Sequence, residues 1–141
     1  MTSSILTPAA ALVLWTLAML VWMAATRGPE LRKLGADKLK PGTRGVDLDG
    51  VIDERVNWKA HNYNHLHEQP TLFYATVMIL ALAGFNAIDV ALAWAYVLLR
   101  IAHSWWQATV NDLRVRVTLF AVSSAFLLLL VLRALFATLT Y

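Results

Sequence analysis

Ile5-Leu-Thr-Pro-Ala-Ala-Ala-Leu-Val-Leu-Trp-Thr-Leu-Ala-Met-Leu-Val-Trp-Met-Ala-Ala25 is a run of 21 residues without a charge. A helix needs about 20 apolar residues to cross the hydrocarbon core of a bilayer, so this run suffices for one passage. Trp22-Met-Ala-Ala resembles a small-residue cleavage site, but a secretory signal has a basic leader and a shorter apolar core. No Lys or Arg precedes Ile5, and the run reads as an uncleaved first helix. The remainder of the chain has the same character. Of its 141 residues 59% are hydrophobic and only 15% are charged, where an average soluble domain is about a quarter charged. Composition therefore places the chain in the all-α membrane class, and its length allows one domain, residues 1–141.

Working outward from this first span (about 5–26), residues 28–53 hold five of the six glycines, two prolines and mixed charge, the composition of a polar surface loop. A second span is expected from about 54 to 84, with an amphipathic first half and an apolar second half. Pro70 should kink it, because proline removes an intrahelical hydrogen bond. Phe85-Asn-Ala-Ile-Asp89 leaves room only for a tight reversal into a third span, about 87–111. A short turn at Asp112-Leu-Arg114 leads to a fourth, about 115–139. Four spans with short connections make an integral membrane four-helix bundle the expected fold.

The charge distribution sets an orientation. Eight of the twelve Lys and Arg lie between Arg27 and Lys59, none lies in the second connection, and two, Arg114 and Arg116, lie in the third. The positive-inside rule places both basic connections in the cytoplasm and both termini outside, in a plasma or inner membrane. The same distribution argues against nucleic-acid binding, since the basic residues belong to a connection beside a membrane. The chain has no cysteine, which excludes a disulfide framework, a protein thiolate nucleophile and a zinc–thiolate site. The six tryptophans suit interfacial belts or lipid-facing positions, and Arg133, near the far end of the fourth span, is expected to snorkel outward.

Ionisable groups at membrane depth are costly and mark functional sites. His61, Asn64, His65 and Glu68 are spaced three, four and seven apart, which puts them on one helical face. Arg100, His103, Gln107, Asn111 and Arg114 form a second stripe by the same arithmetic, and Arg116 opens the fourth span on the same side. Glu68 and Arg100 could equally be structural partners, and Arg114 a membrane anchor. His67 falls off the stripe and suits the interface. A metal centre is not expected. His67-Glu68 lacks the second His of a zinc motif, and four histidines with one buried Glu are too few for a membrane di-iron site. Haem between His61 or His65 and His103 is a minor alternative. Facing polar stripes suit an anionic or zwitterionic ligand admitted from the cytoplasmic face, because Arg binds carboxylates bidentately and Glu68 can accept an ammonium or amide.

Three segments carry a family resemblance: Asn64-His-Leu-His-Glu-Gln-Pro-Thr-Leu-Phe-Tyr74, Leu99-Arg-Ile-Ala-His-Ser104 and Asn111-Asp-Leu-Arg-Val-Arg116. In this order and spacing the chain resembles the MAPEG family, the membrane-associated proteins in eicosanoid and glutathione metabolism. The resemblance implies a homotrimer of four-helix subunits with glutathione as co-substrate, bound between neighbours at the cytoplasmic side. It also implies transferase, peroxidase or isomerase chemistry on lipophilic small molecules. By position Glu68 resembles the family's glutathione-binding glutamate, Arg100 and His103 match its Arg-x-x-His, and Arg116 resembles the arginine that stabilises the thiolate. His61, Asn64, His65, Gln107, Asn111 and Arg114 would help to position the tripeptide. The sequence departs from better-known members at His65, where they carry Asn, and at Gln107 and Phe120, where they carry Tyr. The competing class is a non-catalytic protein on the same scaffold that binds lipid or a partner.

Overall fold

The computed structural model describes residues 4–140; residues 1–3 and 141 of the expected domain lie outside the described residues. Among the described residues the structure is all-helical. It comprises α1 (Leu6–Leu34), α2 (Glu54–His65), α3 (Gln69–Ala83), α4 (Ala87–Thr109) and α5 (Leu113–Leu139), with two short 3-10 turns, Ala36–Lys38 and Gly45–Leu48, in the loop after α1. Helices α1, α4 and α5 are long and apolar enough to cross a membrane. At 15 residues α3 is about 22 Å long, too short to cross alone.

Helix α1 continues well past the expected boundary near residue 26 and runs through Pro29 to Leu34. Its 29 residues span about 43 Å, so its last turns extend beyond a hydrocarbon core of about 30 Å. Arg32 and Lys33 in the final turn face the negative end of the helix dipole, and Lys33 pairs with Glu30 at 2.7 Å. Pro8, Leu12, Thr16 and Met19 form the buried stripe of α1, while Leu14, Leu17 and Val21 face outward.

The second passage is broken rather than kinked. Helix α2 ends at His65, and α3 begins at Gln69 after an irregular Glu68 (φ −85°, ψ −98°). Pro70 lies in the first turn of α3, where its missing N–H would have had no intrahelical partner, so the proline favours a new start over a bend. The reversal before α4 is closed by a capping box in which Asn86 accepts from the backbone N–H groups of Ile88 and Asp89, and Asp89 accepts from that of Asn86.

Helix α4 packs most extensively on α5 and also meets α1 and α2; α3 packs on α5 and α1. The apolar centre includes Leu12, Phe73, Val77, Leu80, Tyr96 and Leu130, all fully buried, with the Phe73 and Tyr96 rings stacked at 4.5 Å between centroids. Two polar joints cross this core. Trp15 Nε1 and Asn62 Nδ2 both donate to Ser104 Oγ at 2.8 Å, linking α1 and α2 to α4. Gln69 Nε2 donates to Ser124 Oγ at 2.8 Å, linking α3 to α5. Trp15, partly buried, is therefore an interhelical hydrogen-bond donor. Arg133, expected to snorkel outward, also has a partner: its Nε donates to Asp89 Oδ1 at 2.8 Å, because that carboxylate is wholly buried and needs a cation.

Candidate functional site

At the end of the helices opposite the Asp89–Arg133 pair, the break after α2 brings His65 toward α4 and the first turns of α5. His65, His103, Leu113, Arg116, Val117 and Phe120 line a cavity of about 170 Å³. The His65 and His103 ring centroids are 5.2 Å apart, and Phe120 lies 5.6 Å from His65 and 6.3 Å from His103. Three basic side chains from three helices thus meet around a short apolar wall. His65 Nδ1 is 2.5 Å from Glu68 Oε2, and the Glu68 side chain, 66% exposed, lies beside His65 without lining the cavity itself.

Arg100 is the largest fully buried side chain. Its Cζ lies 5.5 Å from the Phe120 ring centroid, and its Nη2 reaches the His65 carbonyl at 3.5 Å. Its Nε and Nη1 have no hydrogen-bond partner among the described residues, nor do His103 Nδ1, Gln107 Oε1 and Arg116 Nε. Unsatisfied buried donors on a cation call for an acceptor, and a carboxylate suits a guanidinium best. Among the described residues no group of three or more His, Asp or Glu side chains is placed to hold a metal ion.

Arg116 Nη1 donates to Asn111 Oδ1 at 2.7 Å. Asn111 also lines a second hollow, of about 210 Å³, together with Asp49, Gly50, Glu54, Asn57, Trp58 and His61. His61 Nε2 lies 2.9 Å from Asp49 Oδ1 there, so this histidine faces the loop and not the first cavity. The loop itself is held from below: Arg27 Nη2 donates to the Gly45 carbonyl and to Asn57 Oδ1, while Asn57 Nδ2 donates to the Leu48 carbonyl. Within the loop, the backbone N–H and then the guanidinium of Arg44 hold the Asp47 carboxyl below the usual carboxylate range.

The structure gathers His65, Glu68, Arg100, His103, Gln107 and Arg116 at one end of the α2, α4 and α5 packing. His61 and Asn111 stand across the neighbouring hollow. Asn64 and Arg114 are exposed and line neither. The expected stripe from Arg100 to Arg114 holds only as far as Gln107, because α4 ends at Thr109. Asn111 adopts the left-handed region (φ 60°), where Asn is tolerated, and Arg114 belongs to α5. Sequence reading missed Leu113, Val117 and Asp49 as site neighbours, and noticed Phe120 only as a departure from the family. Leu113 and Val117 share a helical face with Arg116 and Phe120 on α5, a spacing that could have found them, whereas Asp49 is brought in by the loop and has no such signal.

A family model described as the MAPEG family matches residues 5–136, nearly the whole chain, and the chain belongs to that family. It is a membrane protein of the glutathione and eicosanoid metabolism family. No curated protein and no solved structure matches the chain significantly.

Proposed function

We propose, from this membership of the MAPEG family, that the chain is a membrane-bound glutathione-dependent transferase or peroxidase acting on a lipophilic electrophile or hydroperoxide. The convergence of His65, His103 and Arg116 on one cavity beneath the buried, under-satisfied Arg100 carries this reading. Glutathione brings two carboxylates, an ammonium and a thiol. Arg100 would take a carboxylate, Glu68 beside His65 would take the ammonium or an amide, and Arg116 would stabilise the thiolate, since a nearby cation lowers a thiol pKa. Gln107 and Asn111 would hold the peptide groups. Leu113, Val117 and Phe120 offer the apolar side on which a lipophilic partner could lie.

The cavity of about 170 Å³ is smaller than the roughly 300 Å³ at which small-molecule pockets begin. A neighbouring subunit would supply the remaining wall, which favours a homotrimer of four-helix bundles in which α2 and α3 together make the second crossing. In that assembly the exposed Asn64 and Arg114, and His61 beside the second hollow, would face the neighbour's share of the site. The positive-inside bias orients the site toward the cytoplasm, with both termini outside. Calorimetry of the detergent-purified protein with glutathione tests binding, and Arg116→Ala in chlorodinitrobenzene and hydroperoxide assays tests catalysis. No binding, together with no effect of Arg116→Ala, would dispose of the proposal.

One observation favours the non-catalytic alternative. Glu68 and Arg116 already have partners within the chain, in His65 and Asn111. On that reading Glu68→Gln and Arg100→Leu disrupt subunit assembly and leave no thiol-linked phenotype.

A further inference from the structure

We infer that His65 is the general base that takes the thiol proton, with Glu68 as the residue that positions it; the inference rests on the glutathione reading above. Helix α2 stops at His65, and the irregular backbone at Glu68 brings its carboxylate back onto the ring three residues earlier, 2.5 Å from Nδ1. A carboxylate on Nδ1 holds the proton there and leaves Nε2 with the free lone pair. Nε2 has no hydrogen-bond partner among the described residues, and the ring lines the cavity shared with Arg116. His103 lines the same cavity, but among the described residues its Nδ1 is buried without a partner and no carboxylate bonds to it. The charged and titratable groups facing His65 are Glu68 beside it, Arg100 and His103 from α4, and Arg116 from α5. Two of these are arginines that would oppose a charged imidazole, and Glu68 is the carboxylate that favours it.

The step balances. The thiol S–H bond breaks, its proton passes to Nε2 and the electron pair stays on sulfur beside Arg116. With 1-chloro-2,4-dinitrobenzene as the probe, the thiolate forms the C–S bond, chloride leaves with the C–Cl pair, and the imidazolium returns its proton to solvent. Arg116 and the Glu68–His65 pair then have separate tasks: one stabilises the anion and the other accepts the proton.

The test measures protons released to buffer when glutathione binds, by calorimetry in buffers of different ionisation enthalpy, alongside turnover of the probe. Wild type should release almost no proton, because His65 keeps it. His65→Asn should still bind glutathione, release the proton to buffer, and turn over about 100-fold more slowly, the lower end of a general-base contribution. Free imidazole should restore part of the rate to His65→Ala, a readout that persists if the Asn variant folds poorly. Glu68→Gln should lower kcat more than it raises KM and alter the shape of the kcat–pH profile. Equal proton release and equal turnover in wild type and His65→Asn would overturn the inference, as would a loss that falls on His103→Asn instead. A wild type that binds no glutathione at all overturns the proposed function and this inference together. One that binds and turns over unchanged after His65→Asn overturns only the latter.

Discussion

Ser104→Ala removes one oxygen and breaks two interhelical bonds. Ser104 Oγ accepts from Trp15 Nε1 on α1 and Asn62 Nδ2 on α2, each at 2.8 Å, and both Ser104 and Asn62 are fully buried. Leaving a buried donor unsatisfied costs about 1–3 kcal/mol in a water-soluble protein. Within a bilayer an interhelical hydrogen bond averages only about 0.6 kcal/mol, with a maximum near 1.7, because the unfolded helices also find partners. The membrane figure governs here. Trp15 is only partly buried and belongs at the average, whereas Asn62 has no other side-chain bond and its Oδ1 is already unpartnered. The two together give a loss of roughly 2 kcal/mol, measurable by reversible denaturant unfolding in mixed micelles. Asn62 lies one turn before His65, and Ser104 follows His103, so the same joint sets the 5.2 Å spacing of the two rings. Turnover should fall along with stability, and Ser104→Thr, which keeps the hydroxyl, should spare both. A cost below about 0.5 kcal/mol, or full additivity of Ser104→Ala with Asn62→Ala, would refute the reasoning, since coupled partners are not additive.

Phe73→Ala should cost about 3–5 kcal/mol in the same unfolding assay, because a fully buried ring stacked on Tyr96 leaves a cavity. Asn57→Ala releases the Leu48 carbonyl and one acceptor of Arg27, and limited proteolysis should then cut between residues 36 and 53 several-fold faster while the helices stay protected. Arg133→Met strands the buried Asp89 carboxylate and should destabilise the protein, and adding Asp89→Asn to it should restore much of the loss. The depressed Asp47 carboxyl helps order the 44–48 turn above the ordinary Asp pKa of about 3.9, and that help is lost as pH falls through its lower folded value. Arg44→Ala removes the guanidinium but not the backbone donor, so an NMR titration should show Asp47 moving only part of the way back.

The uncharged run at Ile5–Ala25, the apolar stretch ending α3 and the two later spans were legible because burial in lipid is written directly in composition. The membrane class, the helical character and the family follow from residue types and their order alone. The His65–Glu68 contact does not, because Glu68 lies in the break between α2 and α3 and its irregular backbone, not a shared helical face, brings the carboxylate to the ring. What depended on the tertiary structure were the interruptions and the pairs across helices. Pro70 could have bent one helix or begun another, and the loss of an N–H says the same in both cases until the packing of Gln69 on Ser124 fixes α3. Asn111 fits a helical stripe by arithmetic, yet its left-handed backbone removes it from that stripe and gives its side chain to Arg116. The hydrogen bonds of Trp15 to Ser104 and of Arg133 to Asp89 likewise have no trace in local spacing. Periodicity reports which side chains share a face of one helix. Which faces meet is decided by turns and by the pairing of buried polar groups, and neither is encoded in local spacing.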